Sequence, residues 1–335
     1  MFKCTGKEKI YVVSPAYNRT GGLELLHQLV FILNKKKLNA YITYFDVNTE
    51  RDDSPINPAY QKYVSEYKTL DDIDDYYANI VVLPELLINL IDKFKNAKIA
   101  VWWLSVDNYL KGYTLRKSFE LLGFKGVMWY LKNMKWKYRI TKINSKIKYN
   151  LAQSYYAIDF LKSNGFFNIQ YLSDYINFDY IKSDLYEEER ANVVLYNPKK
   201  GLKYTKYLMS LDDTICWKPL QNMTNEQVKF CLLNSKVYVD FGNHPGKDRF
   251  PREAAACGCC IITGKRGSAN YYEDVPIPSE FKFIDSNTSG IEVIKKIKNC
   301  FYNFEDNQKK FSTYREMISN EFCRFNYDVE KVFLG

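Results

Sequence analysis

Short apolar runs alternate along this chain with segments whose apolar positions recur at helical spacing. Lys9–Pro15, Asn39–Phe45, Asn79–Leu83 and Lys98–Leu104 are rich in Val, Ile, Tyr and Trp and read as buried strands. Leu23–Asn34 follows the Gly21-Gly22 turn with a helical period, and Tyr60–Tyr67 and Glu85–Phe94 read as shorter helices. Leu151–Ser154 and Ile169–Leu172 read as further strands around a helix at Tyr156–Asn164. After an acidic stretch, Asp184–Arg190, the alternation resumes with strands at Ala191–Tyr196, Thr214–Trp217, Lys236–Val239 and Cys259–Thr263. Helices are expected at Leu202–Leu211 and from Thr224, where Thr224-Asn-Glu-Gln227 matches a capping box, to Asn234. From Ile291 onward the texture is helical, broken near Asn303–Asp306. Such alternation predicts an α/β protein with parallel sheets covered on both faces. Two Rossmann-like domains are expected, residues 1–180 and 181–310 with the boundary near Asn177–Glu189, and a C-terminal helix at 311–335 returning to the first.

The chemistry concentrates in Gly242–Glu273, where strand, charged loop, helix, strand and basic turn follow one another within about 35 residues, the length of one βαβ unit. An exposed helix N-terminus presents unpaired N–H groups and the positive end of the helix dipole, which suits phosphate. Arg249, Arg252, Lys265 and Arg266 add fixed positive charge, and Glu253 can accept hydrogen bonds from sugar hydroxyls. A pyrophosphate flanked by sugars is the ligand this pattern fits best.

Composition narrows the field. At 335 residues the chain is long enough for two domains. No apolar run reaches the ~18 residues of a spanning helix, and a strand follows the N-terminal ten residues at once, so a cytoplasmic protein is expected, with the inner face of the plasma membrane as a further site. The eight cysteines are scattered, and Cys257, Cys259 and Cys260 form no paired motif, so neither disulfides nor zinc is expected. A net charge of +9 suits nucleic acid, an anionic membrane face or a phosphorylated substrate. Lys125–Lys148 holds eight Lys/Arg and no acidic residue, with Trp129, Tyr130, Trp136 and Tyr138 interleaved. It reads as a peripheral membrane patch, then as a solvated helical face with a few core aromatics, and last as a nucleic-acid surface. Asp72-Ile-Asp74 lies in an acidic run before a strand and reads as solvated surface, not as a metal motif.

Glu253-Ala-Ala-Ala-Cys-Gly258, followed by a strand and Gly267-Ser-Ala-Asn-Tyr-Tyr-Glu273, resembles the C-terminal domain of GT-B glycosyltransferases, especially the retaining group of capsular and lipopolysaccharide biosynthesis. The resemblance implies two Rossmann-like domains facing a cleft, a nucleotide diphosphate sugar as donor and no required metal. It places Glu253 on the nucleotide ribose and Gly267–Ser268 beside the donor diphosphate. The chain departs from the pattern where the family carries a second Glu, because Pro245 and Gly246 stand there. The transferred sugar and the retaining or inverting outcome therefore stay open.

Other candidates follow from position. Ligands of doubly wound sheets bind beyond the carboxyl ends of strands, which selects the Asn197-Pro-Lys-Lys-Gly201 loop, with Asn197, Lys199 and Lys200 toward the diphosphate. Gly22 is expected close to the donor or acceptor. Arg249 and Arg252, three apart around Pro251, are suited to phosphate. His244, a lone loop histidine, is a candidate proton donor, although most such residues lie on the surface. Asp107, beyond the strand ending at Leu104, is a candidate base toward an acceptor hydroxyl, with Glu85 comparable. The expectation is a glycosyltransferase building a cell-surface glycan on a lipid-linked acceptor. A nucleotide-sugar epimerase and a non-catalytic membrane or nucleic-acid binding protein are the rivals.

Overall fold

A computed structural model describes residues 1–48, 50–113, 115–116, 119, 123–133, 143–181 and 189–335. The chain forms two compact units, Met1–Asp174 with Cys323–Gly335, and Tyr175–Phe322. In the first unit, strands β1 (Lys9–Ser14), β2 (Asn39–Tyr44), β3 (Lys68–Thr69), β4 (Ile80–Pro84), β5 (Lys98–Trp103), β6 (Tyr149–Ala152) and β7 (Ile169–Tyr171) form one sheet. Its order is β3-β2-β1-β4-β5-β6-β7, and all pairings are parallel. Central strands of such a sheet are covered on both faces, so they are apolar throughout rather than alternating. In β5 both Trp102 and Trp103 are fully buried, on opposite faces, and each indole N–H is satisfied, by Leu172 O and Asn150 Oδ1.

In the second unit, β8 (Ala191–Tyr196), β9 (Cys216–Pro219), β10 (Ser235–Asp240) and β11 (Cys260–Thr263) make a parallel sheet of order β11-β10-β8-β9. Helices Leu202–Leu211, Asn225–Asn234 and Arg249–Ala256 connect its strands. The Thr224 capping box forms in full, with Gln227 N–H on Thr224 Oγ1 and Thr224 N–H on Gln227 Oε1. Residues 311–322, grouped from sequence with the returning helix, contribute Phe311, Tyr314 and Ile318 to this unit's core.

Three elements depart from expectation. Tyr60–Tyr67 does not become a helix beyond the 3-10 turn Pro58–Tyr60. Tyr60 is instead buried against the Thr20 turn, taking Thr20 N–H and donating to Thr20 O, both at 2.9 Å. Glu85–Lys93 is 3-10 helix kinked at Leu87, directly after Pro84. Strand β9 starts at Cys216 rather than Thr214 because Asp212 Oδ1 captures both the N–H and the hydroxyl of Thr214 in a turn.

Candidate functional site

Strands β8, β10 and β11 run parallel, so their following loops, Asn197–Gly201, Phe241–Asp248 and Gly264–Gly267, leave the sheet at one edge. The loops pack backbone against backbone. Gly201 has φ +63°, and a Cβ there would lie 2.5 Å from Phe241 C. Gly267 has φ +54°, and a Cβ there would lie 2.1 Å from His244 O. Both positions require glycine twice over, for the left-handed backbone and for the contact. Ser268 donates its N–H to His244 O at 2.9 Å and its hydroxyl to Gly246 O at 2.7 Å, and it is fully buried. The Gly267–Ser268 turn thus braces the neighbouring loop in this structure and does not offer the Ser268 hydroxyl to solvent.

At the centre of that loop stands His244, itself left-handed at φ 44° and completely buried. The expectation of a surface histidine is overturned. Its Nε2 lies 3.4 Å from Asp240 Oδ1, and its Nδ1 lies 3.1 Å from Asp248 Oδ2. The second contact is an ionic approach, because its angle makes no hydrogen bond. Burial alone would lower the histidine's pKa, but the two carboxylates outweigh it and push it up to about 10. Asp240 is anchored in turn by Tyr238 O–H and Gly242 N–H. Asp248 is held well below the usual carboxylate range: burial opposes this, and His244 and Lys200 override it. Lys200 Nζ sits 2.5 Å from Asp248 Oδ1. Asp240, His244 and Asp248 are also, among the described residues, a group close enough to hold a metal ion. The carboxylates, however, flank opposite ring nitrogens, which point away from one another. That is the surrounding of an imidazolium, not of one shared cation. The spacing Asp240-x3-His244-x3-Asp248 is a sequence signal for this cluster that a lone loop histidine does not give.

Arg252 takes a different role from the one expected. Arg249–Ala256 is helical from Arg249, so Arg252 turns inward, where it is buried. Its Nη1 meets Glu321 Oε1 and Oε2, both at 2.9 Å, and Nη2 donates to Lys247 O. Lys247 Nζ adds a 3.3 Å contact to Glu321, which also accepts Ile176 N–H. The network is internal and gives Arg252 no exposed face for a ligand. Glu253 is the fifth residue of the helix and is buried. Arg249 is half-buried at the first helical position, and Lys199 is exposed beside the half-buried Asn197 and Lys200. Arg266 pairs with Asp285 through Nε at 3.1 Å.

In the first unit, Gly22 lies in the first turn of helix Gly21–Lys35, and a Cβ there would meet only Leu104 Cδ1 at 3.8 Å. Packing therefore does not demand glycine. Glu85 follows β4, wholly buried, and its Oε2 accepts Leu104 N–H at 3.0 Å. Burial pushes its pKa up to about 7 despite backbone N–H groups that pull it down. Asp107, in the first turn of helix Val106–Tyr113, is buried and accepts Tyr156 O–H at 3.2 Å. Asp72 and Asp74 serve local structure, Asp72 capping Thr69 and Asp74 pairing with Lys9. Cys257, Cys259 and Cys260 are packed in the second core, where the Cys259 thiol donates to Leu232 O. Of the Lys125–Lys148 stretch, residues 134–142 lie outside the described residues, as does 182–188 of the expected domain boundary.

Two α/β units with parallel sheets, one carrying a glycine-braced loop cluster at its carboxyl edge, define the GT-B fold. Solved structures share it: TarM at a TM-score of 0.66 and 10% identity over 99% of both chains, and Anabaena HepE, in complex with UDP and glucose, at 0.65 and 11% over 97% of this chain and 99% of that one. The lipopolysaccharide outer core galactosyltransferase WaaB matches at 0.60 and 12%, over 97% of this chain and 99% of its own. No family model matches the sequence, and no curated protein matches it by sequence.

Proposed function

We propose that the protein is a glycosyltransferase that takes a sugar from a nucleoside diphosphate donor held at the carboxyl edge of the second sheet and passes it to a glycan acceptor. The observation that carries this reading is the convergence of three loops through Gly201 and Gly267, which bring Lys199, Lys200 and Arg249 to one edge beside a helix N-terminus. Lys199, Lys200 and Arg249 would neutralise the departing diphosphate, the main electrostatic contribution to such a transfer. Asn197 would fix the loop and the ligand's orientation, and Glu253 would take the ribose. His244 works from beneath as a positioning cation: it keeps Asp248 charged, and Asp248 holds Lys200 at the edge. Protein cations supply the charge, so no divalent ion is expected. Asp107 is the candidate base toward an acceptor hydroxyl. HepE with UDP and glucose and the galactosyltransferase WaaB support this donor and acceptor chemistry by likeness of fold. A cell-surface glycan on a lipid-linked acceptor, handled at the inner membrane face, is the finer reading.

The test is a thermal-shift panel of UDP, GDP, CDP, ADP and their sugar conjugates, with and without Mg²⁺. One diphosphate at 100-fold its dissociation constant should stabilise the protein by about 2.7 kcal/mol without metal. Lys200→Ala and Glu253→Ala should each weaken that ligand about tenfold or more, near 1.4 kcal/mol. A folded protein that responds to none of them overturns the reading.

A further inference from the structure

The Arg252–Glu321 network is assembled from distant parts of the second unit. Glu321 opens helix Glu321–Phe333, one residue before that unit ends at Phe322. Ile176, whose N–H it accepts at 3.3 Å, is the unit's second residue. Lys247 and Arg252 come from the middle, where the loop after β10 runs into helix Arg249–Ala256. All three charged side chains are buried. Stability alone does not account for such a cluster. The attraction within a buried ion pair offsets its desolvation only in part, and apolar side chains of similar volume often serve as well or better. An apolar side chain, however, cannot hold a carbonyl.

Arg252 holds two. Its Nη2 donates to Lys247 O at 2.9 Å and its Nε to Asp248 O at 3.2 Å, so one guanidinium ties both peptides of the turn that enters the helix. Glu321 fixes that guanidinium, accepting from Nη1 with both oxygens, and takes Lys247 Nζ from the same turn at 3.3 Å. The turn's own carboxylate, that of Asp248, meets Lys200 Nζ at 2.5 Å and lies 3.1 Å from His244 Nδ1. A short path therefore joins Glu321 to Lys200, and every step in it is a direct contact: Glu321 to Arg252, Arg252 to the Asp248 carbonyl, the Asp248 carboxylate to Lys200. We infer that Glu321 is a positioning residue for the phosphate edge, setting the place of Lys200 through Arg252 and the Lys247–Asp248 turn. The inference deepens the diphosphate reading of that edge and rests on it.

Titration calorimetry of the full-length protein with UDP, GDP and inorganic pyrophosphate tests it as a double-mutant cycle. Glu321→Gln keeps the side chain's shape and an acceptor but removes the charge. It should weaken pyrophosphate and the bound nucleoside diphosphate about fivefold or more. In a Lys200→Ala background the same substitution should cost about twofold or less, because the residue through which it acts is gone. Glu321→Asp keeps the charge one methylene further back and should fall between wild type and Glu321→Gln. It carries the test if the glutamine variant does not fold. A carboxylate with a merely structural role would lower the urea midpoint without this dependence on Lys200. Unchanged affinity in the folded variants overturns the inference, as does a loss that adds in full to that of Lys200→Ala. Wild-type protein that binds none of the three ligands fails differently: it overturns the donor site, and the inference with it.

Discussion

Glu85 beyond β4 and His244 beyond β10 are both ionisable, both buried, and both placed at the carboxyl end of a central strand, yet burial favours the neutral form of the first while carboxylates favour the charged form of the second. Among the described residues Glu85 is met by backbone N–H groups, and burial pushes its pKa up to about 7, toward the neutral acid. His244 is buried as deeply, but Asp240 and Asp248 stand four residues to either side and push it up to about 10, toward the cation. The difference lies in counter-charge, not depth. Peptide dipoles compensate a buried charge only in part, whereas two carboxylates within hydrogen-bonding range outweigh its desolvation. The charged centre adds to Lys200 in holding Asp248 ionised.

Three experiments bear on that contrast. The largest effect is expected from Arg252→Met, which strips Glu321 of the Arg252 guanidinium and leaves it Lys247 and the Ile176 N–H. Breaking a buried pair from one side costs on the order of 3–5 kcal/mol, and a urea midpoint shift much below that would mean Lys247 suffices. His244→Gln comes second and is read as pH dependence. The folded pKa lies above the ordinary 6.5, so the ion pairs' stabilisation is full below pH 6.5 and is lost as pH rises through 10. The wild-type protein should therefore lose stability over that window relative to the variant. At about 1.4 kcal/mol per unit the ceiling is near 5 kcal/mol, and coupling to Asp248 brings the expected difference to about half. A flat difference between pH 6.5 and 10 would place the imidazole in its neutral form. Smallest is Glu85→Gln, an isostere that keeps an acceptor for Leu104 N–H. Glu85 also has a raised pKa, so its contribution is full below 4.5 and falls as pH rises through 7. The variant should gain on wild type by ~1–3 kcal/mol between pH 5 and 8, measured by thermal unfolding. Parallel curves would mean that water already solvates the carboxylate.

Much of the scaffold was legible because it is local. The apolar runs of β1, β4, β5, β8 and β10 and the Thr224 capping box announce themselves over a few residues. Lys68–Thr69 was missed because a two-residue edge strand carries no period. The ionic wiring was legible only in part. Asp240, His244 and Asp248 share one spacing and needed only to be read together. Arg252 is different: its partner Glu321 lies 69 residues on, and no local pattern joins them. The Arg249–Arg252 spacing suits phosphate in sequence, yet the helix places the two side chains in different surroundings, half-buried and buried.

The second unit is an insertion: the chain leaves the first at Asp174 and re-enters it at Cys323. The returning helix supplies Phe325, which lies against Trp102, and Phe333, which stacks on Phe2, while Phe2 and Cys4 donate their N–H groups to Val332 and Phe333. During synthesis from the N-terminus the seven-stranded sheet is therefore complete in strands long before it is complete in cover. The inserted unit has all of its residues first and can finish folding first. The first unit waits with Phe2 and Trp102 uncapped until Phe325 and Phe333 emerge, so a window for chaperone capture or misassembly of the first unit closes only with that helix.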